Sequence, residues 1–207
     1  VASYAASGTI FAQVQNGAPF DIFFSADAEF PQRLEQAGRS EPGTLSSYAL
    51  GRLAVWVPTA SPVDLERTGI AALGGRDVRW VAIANPELAP YGSAAVAALR
   101  GSGVYEAVRP KLVVAENVAQ AAQFAQSGAA DAGVIALSLA STPEMRAAGR
   151  FVEVPAGLYP AIEQAAVVLK RSNNKGDARL LLDFVRSHEG AGLLRRSGFG
   201  VPPGVAP

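Results

Sequence analysis

The sequence predicts an α/β protein in which mostly parallel sheets are flanked by helices. Short apolar runs of strand length alternate with amphipathic segments of helix length along nearly all of the 207 residues. Most of these runs are continuous rather than alternating, which is typical of strands buried on both faces of a parallel sheet. Hydrophobic residues make up 49% of the chain and charged residues 17%, so a substantial core can form.

Apolar periodicity and the positions of glycine and proline give the order of the elements. The predicted strands are the end of one at 1–4, then 20–24, 50–57, 78–84, 111–115, 132–137, 151–154 and 164–170. The predicted helices begin with one that opens at Ser7 and stops at Asn16-Gly17, followed by 31–37, 63–73, 92–100, 117–126, 145–148, 178–187 and 191–196.

The long apolar strands 50–57 and 164–170 are predicted to cross between two lobes, because no linker rich in proline and glycine divides the chain. The first lobe is then discontinuous and consists of residues 1–51 plus 165–207. The second lobe consists of residues 52–164.

The composition excludes several classes of function. Eighteen basic residues balance eighteen acidic ones, so charge gives no reason to expect a nucleic-acid partner or an anionic membrane. The chain has no cysteine, and its one histidine is His188, which excludes thiolate and multi-histidine metal sites. No apolar run is long enough to span a bilayer. No signal peptide is visible, as expected of a mature exported protein.

Three loops share a design that suits an anion. Each follows a strand and opens a helix, at residues 5–9, 85–92 and 116–118. Helix N-termini offer backbone N–H groups and a partial positive charge, and in open α/β sheets such loops gather where ligands bind. Ser7 can add a hydroxyl to its N–H, with Gly8 beside it. The alternative interpretation is that Ser7 and Asn117 are ordinary helix N-caps.

The same loops contain no lysine or arginine in residues 4–10, 85–93 and 116–119. N–H and O–H donors alone can hold a fully ionised dianion if helix termini supply the field. Receptors for carboxylates usually use a bidentate arginine, and a phosphate receptor benefits from an acceptor for the phosphate proton. Glu116 is the acidic residue close enough in sequence to be such an acceptor.

The sequence offers no credible catalytic set. His188 and Asp183 do not have the spacing of a helical i,i+4 pair. Asp21, Asp27 and Glu29 are explained equally well as caps or solvated loop acids. The pair Gly74-Gly75 lacks the spacing of a nucleotide-binding loop. A protein that is not an enzyme and needs no cofactor is therefore expected.

At these loops the chain resembles the periplasmic molybdate/tungstate-binding proteins of ABC importers. The block NGAP followed by DIFFSAD is the most specific part of the resemblance. The matching segments, in order, are ASGT (6–9), NGAP (16–19), DIFFSAD (21–27), LGRL (50–53), NP (85–86), APYG (89–92), AENV (115–118), GAADAG (128–133) and SGF (197–199).

The resemblance implies a two-lobed type II periplasmic-binding fold with a two-strand hinge that closes on molybdate or tungstate. It implies that Ser7 donates its hydroxyl and N–H to the oxyanion, and that Tyr91 and Val118 donate backbone N–H groups. Gly8, Gly92 and Asn117 are neighbouring candidates. Many relatives have a ligand-contacting tyrosine at the position of Ala136, whereas here the tyrosine is Tyr91, as in one branch of the family.

The resemblance further implies a periplasmic, monomeric receptor that delivers its anion to a membrane permease. It also implies that this chain lacks the first strand and helix of the family, together with the donors between them. Two alternatives stay open. One is a receptor of the same fold for another small anion such as sulfate. The other is the effector-sensing domain of a transcription regulator, which a preceding helix-turn-helix would mark.

Overall fold

A computed structural model describes residues 1–203. Its strands are β1 Ile22–Ser25, β2 Ser46–Gly51, β3 Leu53–Pro58, β4 Val81–Ala84, β5 Leu112–Ala115, β6 Ala132–Ala136, β7 Gly149–Glu153 and β8 Ile162–Val168. Its α-helices are α1 Ser7–Gln15, α2 Glu29–Gln36, α3 Leu65–Thr68, α4 Pro90–Gly101, α5 Tyr105–Val108, α6 Val118–Ser127, α7 Leu137–Ala140, α8 Pro143–Ala148, α9 Lys175–Arg186 and α10 His188–Arg196. Short 3-10 helices lie at Gly69–Gly74, Arg109–Lys111 and Ala156–Leu158. No helix in the described part of the chain is long and apolar enough to cross a membrane.

The chain divides into two compact units. Unit 1 consists of Val1–Gly51 and the chain from Ile162 onward, and unit 2 consists of Arg52–Ala161. The second boundary therefore falls before residue 162, rather than between 164 and 165 as predicted. The reason is strand pairing, because residues 162, 163 and 164 lie opposite Gly51, Leu50 and Ala49 of β2 in the sheet of unit 1.

Unit 1 is built on a three-stranded sheet with the strand order β1-β8-β2. Alternate side chains of its central strand β8 point to opposite faces of the sheet, and both sets of side chains are buried under helices. Val167 packs in a cluster with Phe11 of α1 and Leu34 of α2. Ala166 packs in a second cluster with Leu182 of α9. The apolar run of β8 thus records burial on two sides, as the sequence indicates.

Unit 2 is built on a five-stranded sheet with the order β5-β4-β6-β3-β7. Strand β4 pairs in parallel with β5 and β6, and β3 pairs antiparallel with β6 and β7. The alanine-rich helix α6 packs against this sheet in a cluster that includes the buried Trp56. The indole N–H of Trp56 donates to the carbonyl of Met145 at 3.1 Å, so its one polar group is satisfied inside the core.

The α/β class is confirmed, but the expectation of mostly parallel sheets is wrong for unit 1. Both pairings of β8, with β1 and with β2, are antiparallel, and the sheet of unit 2 is mixed. A continuous run of apolar residues indicates that a strand is buried on both faces, but it does not indicate whether the strand is parallel or antiparallel to its neighbours. In unit 1, helices cover an antiparallel central strand on both faces, as they would cover a parallel one. Parallel and antiparallel strands buried in this way therefore have the same apolar sequence pattern.

Three other expectations need correction. Residues 1–4 form no strand, because they are exposed and no described strand pairs with them. The predicted strand 50–57 is two strands in two different sheets, with Arg52 between them. The predicted helix 63–73 is the short α3 followed by a 3-10 segment, and the break falls at Gly69, whose φ of 57° is left-handed.

Candidate functional site

Two of the three predicted loops meet at one edge of the unit 2 sheet. Strands β4 and β5 are parallel neighbours, and their last residues, Ala84 and Ala115, lie opposite each other. The N–H of Asn85 donates to the carbonyl of Ala115 at 2.7 Å and ties the two loops together. The starts of α4 and α6, which carry Tyr91 and Val118, therefore lie at the same carboxyl edge of parallel strands.

Asn85 shapes the loop before α4. Its side-chain oxygen accepts the N–H of Glu87 at 2.9 Å, and its carbonyl accepts the N–H of Ala89 at 2.8 Å. Helix α4 then begins at Pro90, where a missing N–H costs nothing. Tyr91 follows in the first turn and is buried.

Gly92 is explained by close packing. A Cβ atom at this position would lie 2.3 Å from the carbonyl oxygen of Ala84, so only glycine lets α4 approach the end of β4 this closely. Its N–H donates to Ala89 O at 2.8 Å and so has an acceptor within the helix start. The residue accordingly serves the placement of the helix that carries Tyr91.

The start of α6 is held by two side-chain-to-backbone hydrogen bonds. Asn117 is the N-cap, and its side-chain oxygen accepts the N–H of Gln120 at 3.0 Å. The side-chain oxygen of Gln120 reaches back and accepts the N–H of Glu116 at 2.7 Å. Within residues 1–203, the N–H groups of Val118 and Ala119 have no acceptor, and they are the donors that this helix start presents.

Ser7 is the first residue of α1 in unit 1, and Ala6, not Ser7, occupies the N-cap position. The Ser7 side chain is buried, and its Oγ accepts the N–H of Ala26 at 3.0 Å, directly after β1. That N–H uses one lone pair of Oγ, and a hydroxyl group that accepts one hydrogen bond can still donate another. The first intrahelical bond runs from Ile10 to Ala6, so the N–H groups of Ser7 and Gly8 also precede the ladder.

The acidic residues weighed as a carboxylate site have structural partners instead. Asp21 accepts from the Ser172 hydroxyl at 2.6 Å and from the Asn174 amide. Asp27 accepts the N–H of Phe30 at 2.8 Å near the start of α2, and burial raises the pKa of its carboxyl. His188 is the exposed first residue of α10. No group of metal-ligating side chains large enough to hold an ion occurs in the part of the chain that is described.

Sequence reasoning missed two residues that hold the helix starts in place, Gln120 and Ala26, and it also missed a buried tyrosine in unit 2. Gln120 stands three residues after an N-cap, which is the spacing of a capping box and could have been recognised. The N–H of Ala26 leaves no sequence signal, because its bond to Ser7 spans 19 positions. Tyr159 is buried, and its hydroxyl accepts the N–H of Leu53, the residue opposite Ala136. Burial raises the pKa of the Tyr159 phenol.

Comparison with known proteins places these loops in a family. The profile of the bacterial extracellular solute-binding proteins matches residues 1–200. The chain belongs to this family. The molybdate-binding protein ModA of Rhodobacter capsulatus is 37% identical to this solute-binding protein over 197 residues, which are 95% of the chain and 75% of ModA. ModA of Azotobacter vinelandii is 35% identical over 201 residues, covering 97% and 79%.

Solved structures agree with this assignment. The periplasmic molybdate-binding protein of Azotobacter vinelandii superposes on this solute-binding protein with a TM-score of 0.88 and 33% identity, covering 97% of this chain and 86% of that one. The sulfate-binding protein SubI of Mycobacterium tuberculosis superposes with a TM-score of 0.74 and 20% identity, covering 98% and 76%, and at that identity it shares the fold. The resemblance predicted from the sequence is confirmed at the level of the family.

Proposed function

We propose that this protein is a receptor that captures molybdate or tungstate in the periplasm and delivers it to the permease of an ABC importer. The observation that carries the proposal is the pair of helix starts in unit 2, which lie at one sheet edge and whose loops, residues 85–93 and 116–119, contain no lysine or arginine. The relatives that are 37% and 35% identical are named for molybdate binding, which supports the same ligand.

We assign the oxyanion donors to the Ser7 hydroxyl and N–H, and to the backbone N–H groups of Tyr91 and Val118. Gly8 belongs to the same helix start as Ser7. Asn117 acts as the cap that organises α6, and Gly92 as the contact that places α4. The receptor acts without a cofactor and catalyses no reaction, because binding and release are all that delivery requires. It works as a monomer.

Selectivity follows from size and protonation. Molybdate, tungstate and sulfate are tetrahedral dianions near neutral pH, so charge does not separate them, but the metal–oxygen bonds are longer than sulfur–oxygen bonds. Donors placed for the larger ion leave sulfate with stretched hydrogen bonds, and each desolvated donor left unpaired costs about 1–3 kcal/mol. Two such donors give discrimination on the order of a hundredfold or more. Phosphate brings a proton that these donors do not accept.

Competition calorimetry tests this proposal. The protein is loaded with molybdate and titrated with tungstate, sulfate, phosphate or citrate in turn. We expect tungstate alone to displace molybdate, and we expect molybdate to raise the melting temperature because it binds the folded state. Ready displacement by sulfate would move the assignment to a sulfate receptor. Binding of citrate or an amino acid in preference to every oxyanion would refute the proposal.

A further inference from the structure

The first turns of the helices differ in charge according to where the helix begins. Among the ten α-helices within residues 1–203, six have an acidic residue in the first turn, as is favourable for the helix dipole. These residues are Glu29, Glu66, Glu106, Glu144, Asp177 and Glu189. The helices without one are α1, α4, α6 and α7. The last three follow the parallel strands β4, β5 and β6 at one edge of unit 2, and α1 carries Ser7.

Gln120 is the clearest example of a neutral residue in a first turn where an acidic one would fit, because its side chain accepts a hydrogen bond from the Glu116 N–H. Its side-chain oxygen accepts the Glu116 N–H at 2.7 Å while its own N–H donates to Asn117 Oδ1 at 3.0 Å. In a capping box, glutamate or glutamine at this position accepts the N–H of the N-cap residue, whereas Gln120 accepts the N–H of Glu116, one residue before the N-cap. A glutamate could make the same bond and would add a favourable interaction with the helix dipole. The chain nevertheless carries the neutral amide at this helix start.

We propose that Gln120 is a positioning and specificity-determining residue for the oxyanion: it fixes the loop before α6 without placing a negative charge beside the Val118 and Ala119 donors. The amide satisfies the Glu116 N–H, which holds the loop and the first turn in one arrangement. Because Gln120 is uncharged, it adds no negative charge to that of the exposed Glu116, and it does not further reduce the partial positive charge that the helix start offers to a dianion. This inference rests on the proposed function and adds a residue that is not itself a donor to the anion.

The substitution Gln120→Glu separates positioning from charge. The carboxylate keeps an acceptor for the Glu116 N–H and interacts favourably with the helix dipole, whereas its repulsion from the Glu116 side chain opposes that gain, so we expect the melting temperature to change little. Molybdate affinity should fall about tenfold in low salt, because a carboxylate close to a bound dianion repels it even in a water-like medium. The loss should shrink in high salt because the added charge is screened. A role in folding alone would not lower affinity while leaving the melting temperature nearly unchanged.

Two further variants complete the test. Gln123→Glu makes the same change at an exposed position one turn along α6, and we expect it to reduce affinity at most about twofold, since screening grows with distance. Gln120→Ala removes the acceptor without adding charge and should lower both the melting temperature and the affinity. The charge role would be overturned if Gln120→Glu bound molybdate as the unsubstituted protein does, or if it lost no more affinity than Gln123→Glu. The positioning role would be overturned if Gln120→Ala left molybdate binding unchanged. Absence of oxyanion binding by the unsubstituted chain would instead refute the proposed function.

Discussion

Ser7 makes a tertiary hydrogen bond through a hydroxyl group that can both accept and donate. At the scale of single residues, its Oγ atom receives the Ala26 N–H at 3.0 Å. That bond restricts the position of Oγ and uses one of its lone pairs, which is compatible with the proposed donation of the hydroxyl proton to the oxyanion. The interpretation of Ser7 as a helix cap is wrong, because Ala6 stands at the N-cap and no side chain caps α1. The tertiary contact to Ala26, rather than a local cap, is what Ser7 contributes to stability.

We expect Ser7→Ala to weaken molybdate binding by roughly 1.5–3 kcal/mol, the range for a hydrogen bond to a charged group. Loss of the acceptor for Ala26 should lower the free energy of unfolding by about 1 kcal/mol. Ser187→Ala is the matched control, because Ser187 caps α10 through the Gly190 N–H and should cost about 1 kcal/mol of stability without affecting affinity. Calorimetry and urea denaturation measure the two quantities, and unchanged affinity of Ser7→Ala would reduce Ser7 to a structural residue.

At the scale of elements, helix α6 allows a backbone donor to be removed by mutation. Val118 is the first residue of the helix, a position where proline is well tolerated because its N–H has no intrahelical acceptor. The preceding Asn117 is extended, with φ −150° and ψ 174°, close to the range found before proline. Val118→Pro should therefore lower molybdate affinity by roughly 1.5–3 kcal/mol and change the melting temperature little. Val118→Ala keeps the N–H and should bind as the unsubstituted protein does, and equal binding by both variants would exclude this donor.

The elements also show what sequence patterns can and cannot report. Helix α6 was predicted because Asn117 and Gly128 mark its two ends, and both signals are local. The short helix α5 and the turn α7 were missed, since four-residue elements have no measurable periodicity. The antiparallel pairing of β8 was missed for a different reason, because strand direction depends on partners far away in sequence. In the site, local signals identified the helix starts, whereas the contact from Ala26 to Ser7 is tertiary.

At the scale of the whole molecule, the discontinuous unit 1 depends on bonds between the early and late parts of the chain. Glu41 forms ion pairs with Lys175 at 2.8 Å and with Arg179 at 3.4 Å. Asp21 accepts from Ser172 and Asn174, just before α9 begins. The hydrogen bond from Lys175 is the largest cause that lowers the pKa of Glu41, and that from Ser172 is the largest that lowers the pKa of Asp21. Ionised carboxylates therefore help to hold α9 onto the first part of the chain.

The sign of the pH dependence follows from these lowered pKa values. A carboxylate whose pKa is lower in the folded state contributes stability in full above its unfolded pKa, ordinarily 4.5 for glutamate and 3.8 for aspartate. The contribution is lost as the pH falls through the lower folded value. We expect the melting temperature, followed by circular dichroism, to decline as the pH falls below about 4.5.

The substitution Glu41→Gln should lower the melting temperature at pH 7. The difference in melting temperature from the unsubstituted protein should disappear at acid pH. Glu35→Gln is the control, because Glu35 is an exposed residue of α2 without a described ion pair. It should leave the dependence of the melting temperature on pH unchanged. If Glu41→Gln still melts at a lower temperature than the unsubstituted protein at pH 3, Glu41 acts through packing rather than charge.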